Sequence, residues 1–198
     1  MDDSAWMADY VRKSLRAVEN FAADAAAQAV LRDMTTAIVA ALRAGGKLMT
    51  AGNGGSAGDA QHIAGEFIVR LMYDRAPLAA IALTTDGSVM TAAGNDYGFE
   101  RGFERQVRAL GRKGDVLLAI STSGNSPNIL HALEAARAAG VVTLGFSAGT
   151  GGAMAASCDH LFLAPTAETA LAQQIHITAA HIVCALVERA MFPRGATP

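Results

Sequence analysis

The sequence is poor in several features that mark particular classes of protein. It has two cysteines, Cys158 and Cys184, in 198 residues, and they form neither a metal-binding nor a redox motif. We therefore expect two reduced thiols in a cytoplasmic protein. Charged residues make up only 17% of the chain, the formal net charge is −2 and no basic cluster occurs. This composition argues against nucleic acid or an anionic membrane as a partner.

Uninterrupted apolar runs long enough to cross a bilayer are also missing, so we expect no membrane-spanning segment. The acidic N-terminus, MDDSAWMADY, lacks the pattern of a secretory signal peptide. Apolar residues nevertheless make up 52% of the chain, which is enough for a sizeable core. With so little charge, part of the surface is expected to be covered by other subunits. We predict a homo-oligomer of chains that each form one domain over residues 1–198.

Apolar residues recur at helical spacing over residues 6–42. A single helix of that length is unusual in a compact domain, so the pattern predicts two helices with a break within residues 20–24. Nothing in either helix has a catalytic pattern. We interpret residues 1–45 as added N-terminal helices, followed by an α/β sheet core and a C-terminal helix over residues 46–192.

Five apolar runs alternate with helical patterns along the rest of the chain. This alternation predicts an α/β fold with a doubly wound, five-stranded parallel sheet. Ligands of such sheets bind beyond the carboxyl ends of the strands. The predicted strands are Lys47–Ala51, Leu78–Leu83, Asp115–Ser121, Val141–Phe146 and Leu161–Ala164.

The predicted connections are less regular. Residues 94–98 are dense in turn-forming residues and are expected to form a loop. The other expectations are a helix from Ser56 to about Met72, a short helix Val89–Ala93 capped by Ser88, a last helix from Thr166 or Thr169 to Phe192, and a mobile tail at residues 194–198.

The stretch KLMTAGNGGSAGDAQHIAGE, residues 47–66, reads as a strand, a glycine-rich turn and a helix. Ser56 is the predicted N-cap, with Asp59 as the acidic half of a capping box. Such a turn leaves backbone N–H groups unpaired at the positive end of the helix dipole, which favours a bound phosphate. His62 and Glu66 are four positions apart and share one helix face. They suit a metal or an acid/base pair, although a solvated helical pair is at least as common.

A second loop, Ser121–Ser126 (STSGNS), carries four hydroxyl groups in six residues between a predicted strand and helix. Ser126 as N-cap and Pro127 at the first helical position form a strong start signal. Hydroxyl groups in such loops often satisfy only the backbone. Because another glycine-rich turn lies at the same edge of the sheet, we favour anion binding.

Two nucleotide-binding alternatives fit less well. Gly52, Gly54 and Ala57 match the dinucleotide pattern G-x-G-x-x-G/A, but the acidic residue expected about 20 residues later is missing, since Asp86 lies too far along. Neither loop contains the Gly-Lys-Ser/Thr of a P-loop. We therefore expect no nucleotide cofactor.

Four segments together closely resemble the phosphoheptose isomerases, a family of sugar-isomerase (SIS) domain enzymes: GNGGSAGDAQHIAGE, GNDYGFE, STSGNSPN and QQIHITAAHIVC. The resemblance covers nearly the whole chain and keeps the family's order and spacing. It implies a flavodoxin-like fold and an aldose–ketose isomerase. Family members convert sedoheptulose 7-phosphate to D-glycero-D-manno-heptose 7-phosphate, for lipopolysaccharide or capsule biosynthesis. They act as homotetramers with sites at subunit interfaces.

The resemblance also implies roles for individual residues. Glu66 and His181 match the family's acid/base pair, and Gln173 contributes to the substrate site. In some members zinc is bound at the positions of His62, Glu66, Gln173 and His181. The phosphate contacts would be Ser121, Thr122, Ser123 and Ser126, and the sugar contacts Asn53, Gly54, Gly55, Ser56, Asn95 and Asp96. One departure is Gln174, where the family usually has glutamate.

The chemistry fits these residue types. Moving a carbonyl between C1 and C2 of a sugar requires a base that transfers a proton between these carbons, with an enediol as the intermediate. It also requires an acid that transfers protons to and from the two oxygens. We rank Glu66 as base first and zinc ligand second, because a zinc-bound carboxylate is a poorer proton acceptor. The main alternative is a non-catalytic SIS-domain regulator, of the type that associates with the bacterial replication initiator, which lacks the pair formed here by His62 and Glu66.

Gln173 and His181 are eight positions apart, or about 12 Å along one continuous helix. Sharing one metal would then require both side chains to stretch. We therefore expect either that the first turn around Gln173 is irregular or that the two residues come from different subunits. The second option predicts an obligate oligomer whose site is completed by a neighbouring chain.

Overall fold

The computed structural model describes residues 2–193, so the predicted tail at 194–198 lies outside the described residues. In this part of the chain, strands and helices alternate after two N-terminal helices. In chain order they are α1 (Asp3–Ala23), α2 (Ala25–Arg43), β1 (Leu48–Gly52), α3 (Gly55–Ile68), β2 (Ala80–Ala82), α4 (Gly87–Tyr97), α5 (Gly102–Leu110), β3 (Val116–Ile120), α6 (Pro127–Ala138), β4 (Val142–Ala148), β5 (His160–Ala164) and α7 (Thr169–Met191), with short 3-10 helices at Phe99–Arg101 and Gly152–Ala156.

The five strands form one parallel sheet in the order β2-β1-β3-β4-β5. This is the flavodoxin-like doubly wound order, so the predicted fold class is confirmed. The chain leaves β1 toward β2 and later returns to β3 on the other side of β1. Gly52 pairs with Ile120, so β1 and β3 end level with each other at this switch point. The two loops singled out in the sequence follow these strand ends directly.

Side chains of the central strands alternate between two hydrophobic clusters on the two faces of the sheet. Along β3, Val116, Leu118 and Ile120 point to one cluster, and Leu117 and Ala119 to the other. The first cluster also contains residues of α1, α2, α3 and α7, and the second contains residues of α5 and α6. Both faces of the sheet are therefore covered, which explains why the strands read as continuous apolar runs.

The N-terminal helices break where the sequence predicts. Asp24 ends α1 and caps α2, because its carboxylate accepts a hydrogen bond of 2.9 Å from the backbone N–H of Ala27. Phe21 and Leu31, on either side of the break, are buried in the same cluster as the sheet. The prediction that residues 1–198 make one domain agrees with this shared core and stays a prediction.

Among the described residues, α2 and α7 are long and apolar enough to cross a membrane by length and composition alone, with mean hydropathies of 1.2 and 1.5. This is weak evidence, because core helices of other proteins pass the same test. Leu31 and Met34 on α2, and Ile175 and Val187 on α7, are buried in the cluster on one face of the sheet. Both helices thus serve here as core helices.

Several predicted boundaries are wrong. The helix α3 begins at Gly55 without a side-chain cap from Ser56, and it ends at Ile68 rather than near Met72. Asp86, not Ser88, caps α4, since its carboxylate accepts from the backbone N–H of Val89 at 3.0 Å. The predicted loop at residues 94–98 is mostly the last turn of α4. Tertiary contacts override local turn preference there, with Arg105 stacked 3.8 Å over the ring of Tyr97.

Candidate active site

A cavity of about 300 Å³ lies beyond the carboxyl ends of β1 and β3, where the fold predicts a ligand. Both loops contribute to it, together with the first turns of α7. No lysine or arginine belongs to its lining among the described residues, so its polar groups are neutral donors and acceptors. The lining consists of Asn53, Gly54, Gly55, Ser56, Ile120, Ser121, Thr122, Ser123, Ser126, Thr169 and Gln173.

Two glycines give these loops their shape. Gly54 and Gly124 have φ values of +56° and +66°, which residues with a Cβ atom rarely adopt. At Gly124 the space is closed as well, because a Cβ would lie 1.9 Å from the backbone oxygen of Gly151. The serine loop is therefore packed directly against the backbone that follows β4.

Three helices begin at this cavity, and none of them has a side-chain cap. The N-cap residues of α3, α6 and α7 are Gly54, Ser126 and Glu168. Gly54 has no side chain, and the side chains of Ser126 and Glu168 accept no hydrogen bond from the first turn. By contrast, α1, α2 and α4 each begin with an aspartate that does so. Uncapped helix N-termini leave N–H donors and partial positive charge available to an anion. The cavity thus has the electrostatics of a phosphate site without any cationic side chain.

The two loops are joined by a reciprocal amide pair. Asn53 donates to Asn128 at 2.9 Å, and Asn128 donates back at 2.8 Å. Asn128 is the second residue of α6 and is 2% exposed. The sequence offered no reason to single out Asn128, because its partner lies 75 positions away. This pair holds the glycine-rich turn and the serine loop in a fixed relative position.

His62, Glu66 and His181 meet further along the helices that begin at the cavity. The Nε2 atom of His62 lies 2.9 Å from Nε2 of His181 and 3.1 Å from Oε1 of Glu66. His62 and Glu66 are one turn apart on α3, and His181 is on α7. The side chain of His62 is 48% exposed and that of Glu66 18%, so a ligand can reach the group from solvent.

These three side chains fit a metal ion. Their ligand atoms lie within 4.8 Å of one another. A tetrahedral zinc with bonds of about 2.0–2.1 Å holds its ligand atoms about 3.3 Å apart, so a slight expansion of the observed distances would admit the ion. Two imidazole nitrogens that face each other at 2.9 Å otherwise need one proton between them. The donor set of two histidines and one carboxylate suits zinc.

Asp59 lies one turn before His62 on α3. Its Oδ2 atom is buried without a hydrogen-bond partner among the described residues. Burial raises the pKa of this carboxyl group, and the nearby His62 opposes that shift. Asp59 therefore does not complete a capping box as the sequence predicts, and it faces the same side of the helix as His62 and Glu66.

Gln173 lies in the first turns of α7, eight residues before His181. Its amide packs against Gly55, where an added Cβ would come within 2.6 Å of Nε2, and it lines the cavity. The expected irregular first turn is wrong, since α7 is α-helical from Thr169 onward. The single chain also brings Glu66 and His181 together without a neighbour. Gln173 as a fourth metal ligand stays a prediction.

Asn95 and Asp96 are not brought to this cavity within the chain. They are exposed at the end of α4, where Asn95 donates to Asp96 at 2.7 Å. Asp96 instead lines a separate cavity of about 590 Å³ with Tyr97 and Arg105, next to the edge strand β2. Their contact with the ligand of the first cavity stays a prediction.

Comparisons with known proteins agree with this geometry. The family model for the SIS domain matches residues 9–148. A phosphoheptose isomerase from Bradyrhizobium sp. is 52% identical over 185 residues, which cover 93% of this chain and 93% of that protein. The chain belongs to the phosphoheptose isomerase family.

Solved structures of phosphoheptose isomerases have the same fold. The structure from Francisella tularensis is 35% identical, with a TM-score of 0.90 over 96% of this chain and 100% of that chain. The structure from Neisseria gonorrhoeae is 39% identical, with a TM-score of 0.85 over 93% of this chain and 98% of that chain. The alternative of a non-catalytic SIS-domain regulator is therefore not favoured.

Most residues that line the cavity are predicted as site residues from the sequence, but Ile120 and Thr169 are not, and neither is Asn128, the partner of Asn53. Thr169 lines the cavity at the start of α7, and Asn128 holds the two loops together. A signal for Thr169 was present, because it marks a helix start after a strand. Nothing local marks Asn128, since only the fold reveals the partner of its amide.

Proposed function

We propose that this protein is a sedoheptulose 7-phosphate isomerase, which converts its substrate to D-glycero-D-manno-heptose 7-phosphate. The observation that carries the proposal is the position of the His62, Glu66 and His181 group relative to the uncapped helix N-termini. Both α3 and α7 begin at the cavity and carry the group further along the same helices. His62 is six residues beyond Ser56, or about 9 Å along the axis. A sugar with its phosphate at one end and its carbonyl at the other matches this separation.

The phosphate binds at the cavity. The three helix N-termini and the hydroxyl groups of Ser121, Thr122, Ser123 and Ser126 supply donors around it. Asn53 and the backbone of Gly54, Gly55 and Ser56 face the sugar. Gln173 lies between the two regions on α7.

Proton transfer belongs to Glu66 and His181. Glu66 acts as the base that moves the proton between C1 and C2, and His181 moves protons on the oxygens. The interaction of both with His62 fixes their orientation. The half-buried carboxyl group of Asp59, one turn before His62 on α3, interacts electrostatically with His62, and its ionised form would favour a cation at this place.

Zinc is the proposed metal, held by His62, Glu66 and His181, with Gln173 as the fourth ligand. When bound, it would polarise the sugar carbonyl as a Lewis acid. Glu66 cannot donate the same lone pair to a metal and to a proton at once. Its role as base is therefore ranked first.

A cytoplasmic homotetramer is the proposed assembly. Support comes from α1, where Trp6, Met7, Val11 and Leu15 are each more than half exposed although they are apolar. A row of exposed apolar side chains on one helix is typical of a surface that packs against another protein chain. A neighbouring chain would also be the source of Asn95 and Asp96 for the site.

The decisive experiment is to incubate the purified protein with sedoheptulose 7-phosphate and to follow the heptose 7-phosphate products by NMR. The same reaction after treatment with a chelator, and after zinc is restored, measures dependence on the metal. Glu66→Gln keeps the shape and removes the basicity, and turnover should fall at least about a hundredfold. Unchanged turnover in folded Glu66→Gln protein would contradict the role of Glu66, and absence of product with wild type would contradict the activity.

A further inference from the structure

A buried ion pair connects the two helices that carry the acid/base group, on the side away from the cavity. Nε of Arg75 donates to Oε1 of Glu188 at 3.0 Å, and the two side chains are 3% and 1% exposed. Arg75 lies in the segment after α3, and Glu188 lies on α7. The pair is more buried than any other ion pair in the described part of the chain.

The guanidinium of Arg75 also caps the C-terminus of α3. Nη2 donates to the backbone oxygen of Glu66 at 2.7 Å, and Nη1 donates to that of Phe67 at 2.6 Å. The last carbonyl groups of a helix have no partner within the helix, and a cation there is favoured by the dipole. Arg75 therefore ends α3 at Ile68, four residues before the end that the sequence predicts.

The carboxylate of Glu188 is fixed equally well. Besides Arg75, it accepts hydrogen bonds from the backbone N–H groups of Leu71 at 3.1 Å and Met72 at 2.8 Å. These donors hold the pKa of Glu188 below its usual value, although burial alone would raise it. The segment after α3 is thus attached to α7 through side-chain and backbone groups together.

The pair of Arg75 and Glu188 is connected through α3 and α7 to the group of His62, Glu66 and His181. Glu188 is seven residues after His181, which places both on the same face of α7 about 10.5 Å apart along the axis. Glu66 is held at two points, because its side chain contacts His62 while its backbone oxygen is bound by Arg75. Rotation or sliding of α3 against α7 would break the pair and separate His62 from His181.

We propose that Arg75 and Glu188 are positioning residues, which set the distance of His62 and Glu66 on α3 from His181 on α7. This inference rests on the proposed function of that group and adds residues that do not touch substrate or metal. Arginine is required because its planar fork reaches two carbonyl groups and a carboxylate at once, which one ammonium group cannot do. The pair acts on the acid/base and metal end of the site and leaves the phosphate cavity unchanged.

The test compares Arg75→Lys and Glu188→Gln with Lys47→Met. The control removes another ion pair, of Lys47 with Asp115, which lie just before β1 and β3 and belong to neither α3 nor α7. Metal-free protein is titrated with Zn²⁺ and, for a spectroscopic signature of ligand geometry, with Co²⁺. Steady-state kinetics with sedoheptulose 7-phosphate are measured well below the melting temperature of every variant.

For Arg75→Lys and Glu188→Gln we expect zinc affinity to fall by about ten- to a hundredfold, the range seen when residues that orient metal ligands are lost. The Co²⁺ spectrum should change and kcat should fall, while KM changes by less than about threefold. Lys47→Met should keep wild-type zinc affinity, spectrum and kcat. Values for the two pair variants equal to those of Lys47→Met would overturn the inference.

A second variant covers the case in which single substitutions do not fold. Arg75→Met combined with Glu188→Met leaves no unpaired buried charge and should recover much of the stability. It still lacks donors for the backbone oxygens of Glu66 and Phe67, so its zinc affinity should remain low. Wild-type affinity in this double variant would overturn the inference. Wild type that neither isomerises the sugar nor binds zinc would instead overturn the proposed function, and the positioning role with it.

Discussion

Asn53, in the turn after β1, and Asn128, in the first turn of α6, form two hydrogen bonds with each other, of 2.9 and 2.8 Å. Each amide satisfies both the donor and the acceptor of the other. Because β1 and β3 are neighbours in the sheet, this pair lies at the switch point of the fold, where Asn53 also lines the cavity. It connects the sugar side of the site to the serine loop.

Replacement of Asn128 tests the importance of this pair. Asn128→Ala leaves the amide of Asn53 without its partner and lets the two loops separate. We expect KM for the phosphorylated sugar to rise about tenfold with a smaller change in kcat, as for a lost binding interaction worth about 1.4 kcal/mol.

Thr143→Val is the matched control for Asn128→Ala. Thr143 is also buried and hydrogen-bonded, at the start of β4 and away from the cavity. It should lose stability without a change in KM. An equal KM in the two variants would show that the amide pair serves folding only.

The positions of Glu66 and His181 predict the result of mixing subunits. Both residues join His62 within one chain. When inactive Glu66→Gln and His181→Ala proteins are dissociated, mixed and reassociated, every site still lacks one residue. Activity should therefore stay at the level of the parents.

Wild type mixed with a double variant that carries both substitutions controls for loss during reassociation, and it should retain the activity of its wild-type fraction. Recovery of activity in the first mixture would place Glu66 and His181 in one site from different subunits.

The serine loop predicts discrimination between phosphorylated and free sugar. Oγ of Ser126 lies 3.0 Å from Oγ of Ser121 and does not cap α6, so its loss should cost less than the roughly 1 kcal/mol of a missing helix cap. Ser123→Ala with Ser126→Ala should raise KM about tenfold or more for sedoheptulose 7-phosphate and much less for sedoheptulose. Steady-state kinetics with both sugars measure this difference. An equal change for both sugars would assign the loop a purely structural role.

His176 predicts a pH dependence of stability. The residue is fully buried and its Nε2 lies 2.9 Å from the backbone oxygen of Ser147. Burial lowers its pKa, and the hydrogen bond to Ser147 opposes this only in part. Below an unfolded-state pKa of about 6.5, the unfolded chain takes up a proton that the folded chain does not. The free energy of unfolding should therefore fall with pH below that value, by at most about 1.4 kcal/mol per pH unit.

Urea denaturation between pH 5.5 and 7.5 measures this effect in wild type and His176→Gln. The substitution removes the titrating group, so its curve should be flatter. All other residues are the same in both proteins, so their contributions cancel in the difference. Parallel curves would show that His176 does not account for the acid sensitivity.

The fold class and the two loops of the cavity follow from the amino-acid pattern alone. Continuous apolar runs between helical patterns can be buried only in a covered parallel sheet, and loops after such strands must meet at one edge. The break within residues 20–24 was predicted from the length of the helical pattern, and the structure places it at Asp24, whose side chain caps α2. The position of Gln173 relative to His181 followed from helix geometry, although the irregular turn inferred from it does not occur.

Which distant side chains meet depends on the packing of the whole fold. His62 and His181 are 119 positions apart, Asn53 and Asn128 are 75, and Arg75 and Glu188 are 113. No local preference encodes these contacts, because they depend on how α3, α6 and α7 pack against the sheet. The same packing overruled the predicted end of α3 and the predicted loop at residues 94–98, where long-range partners outweigh the small energies of local caps and turns.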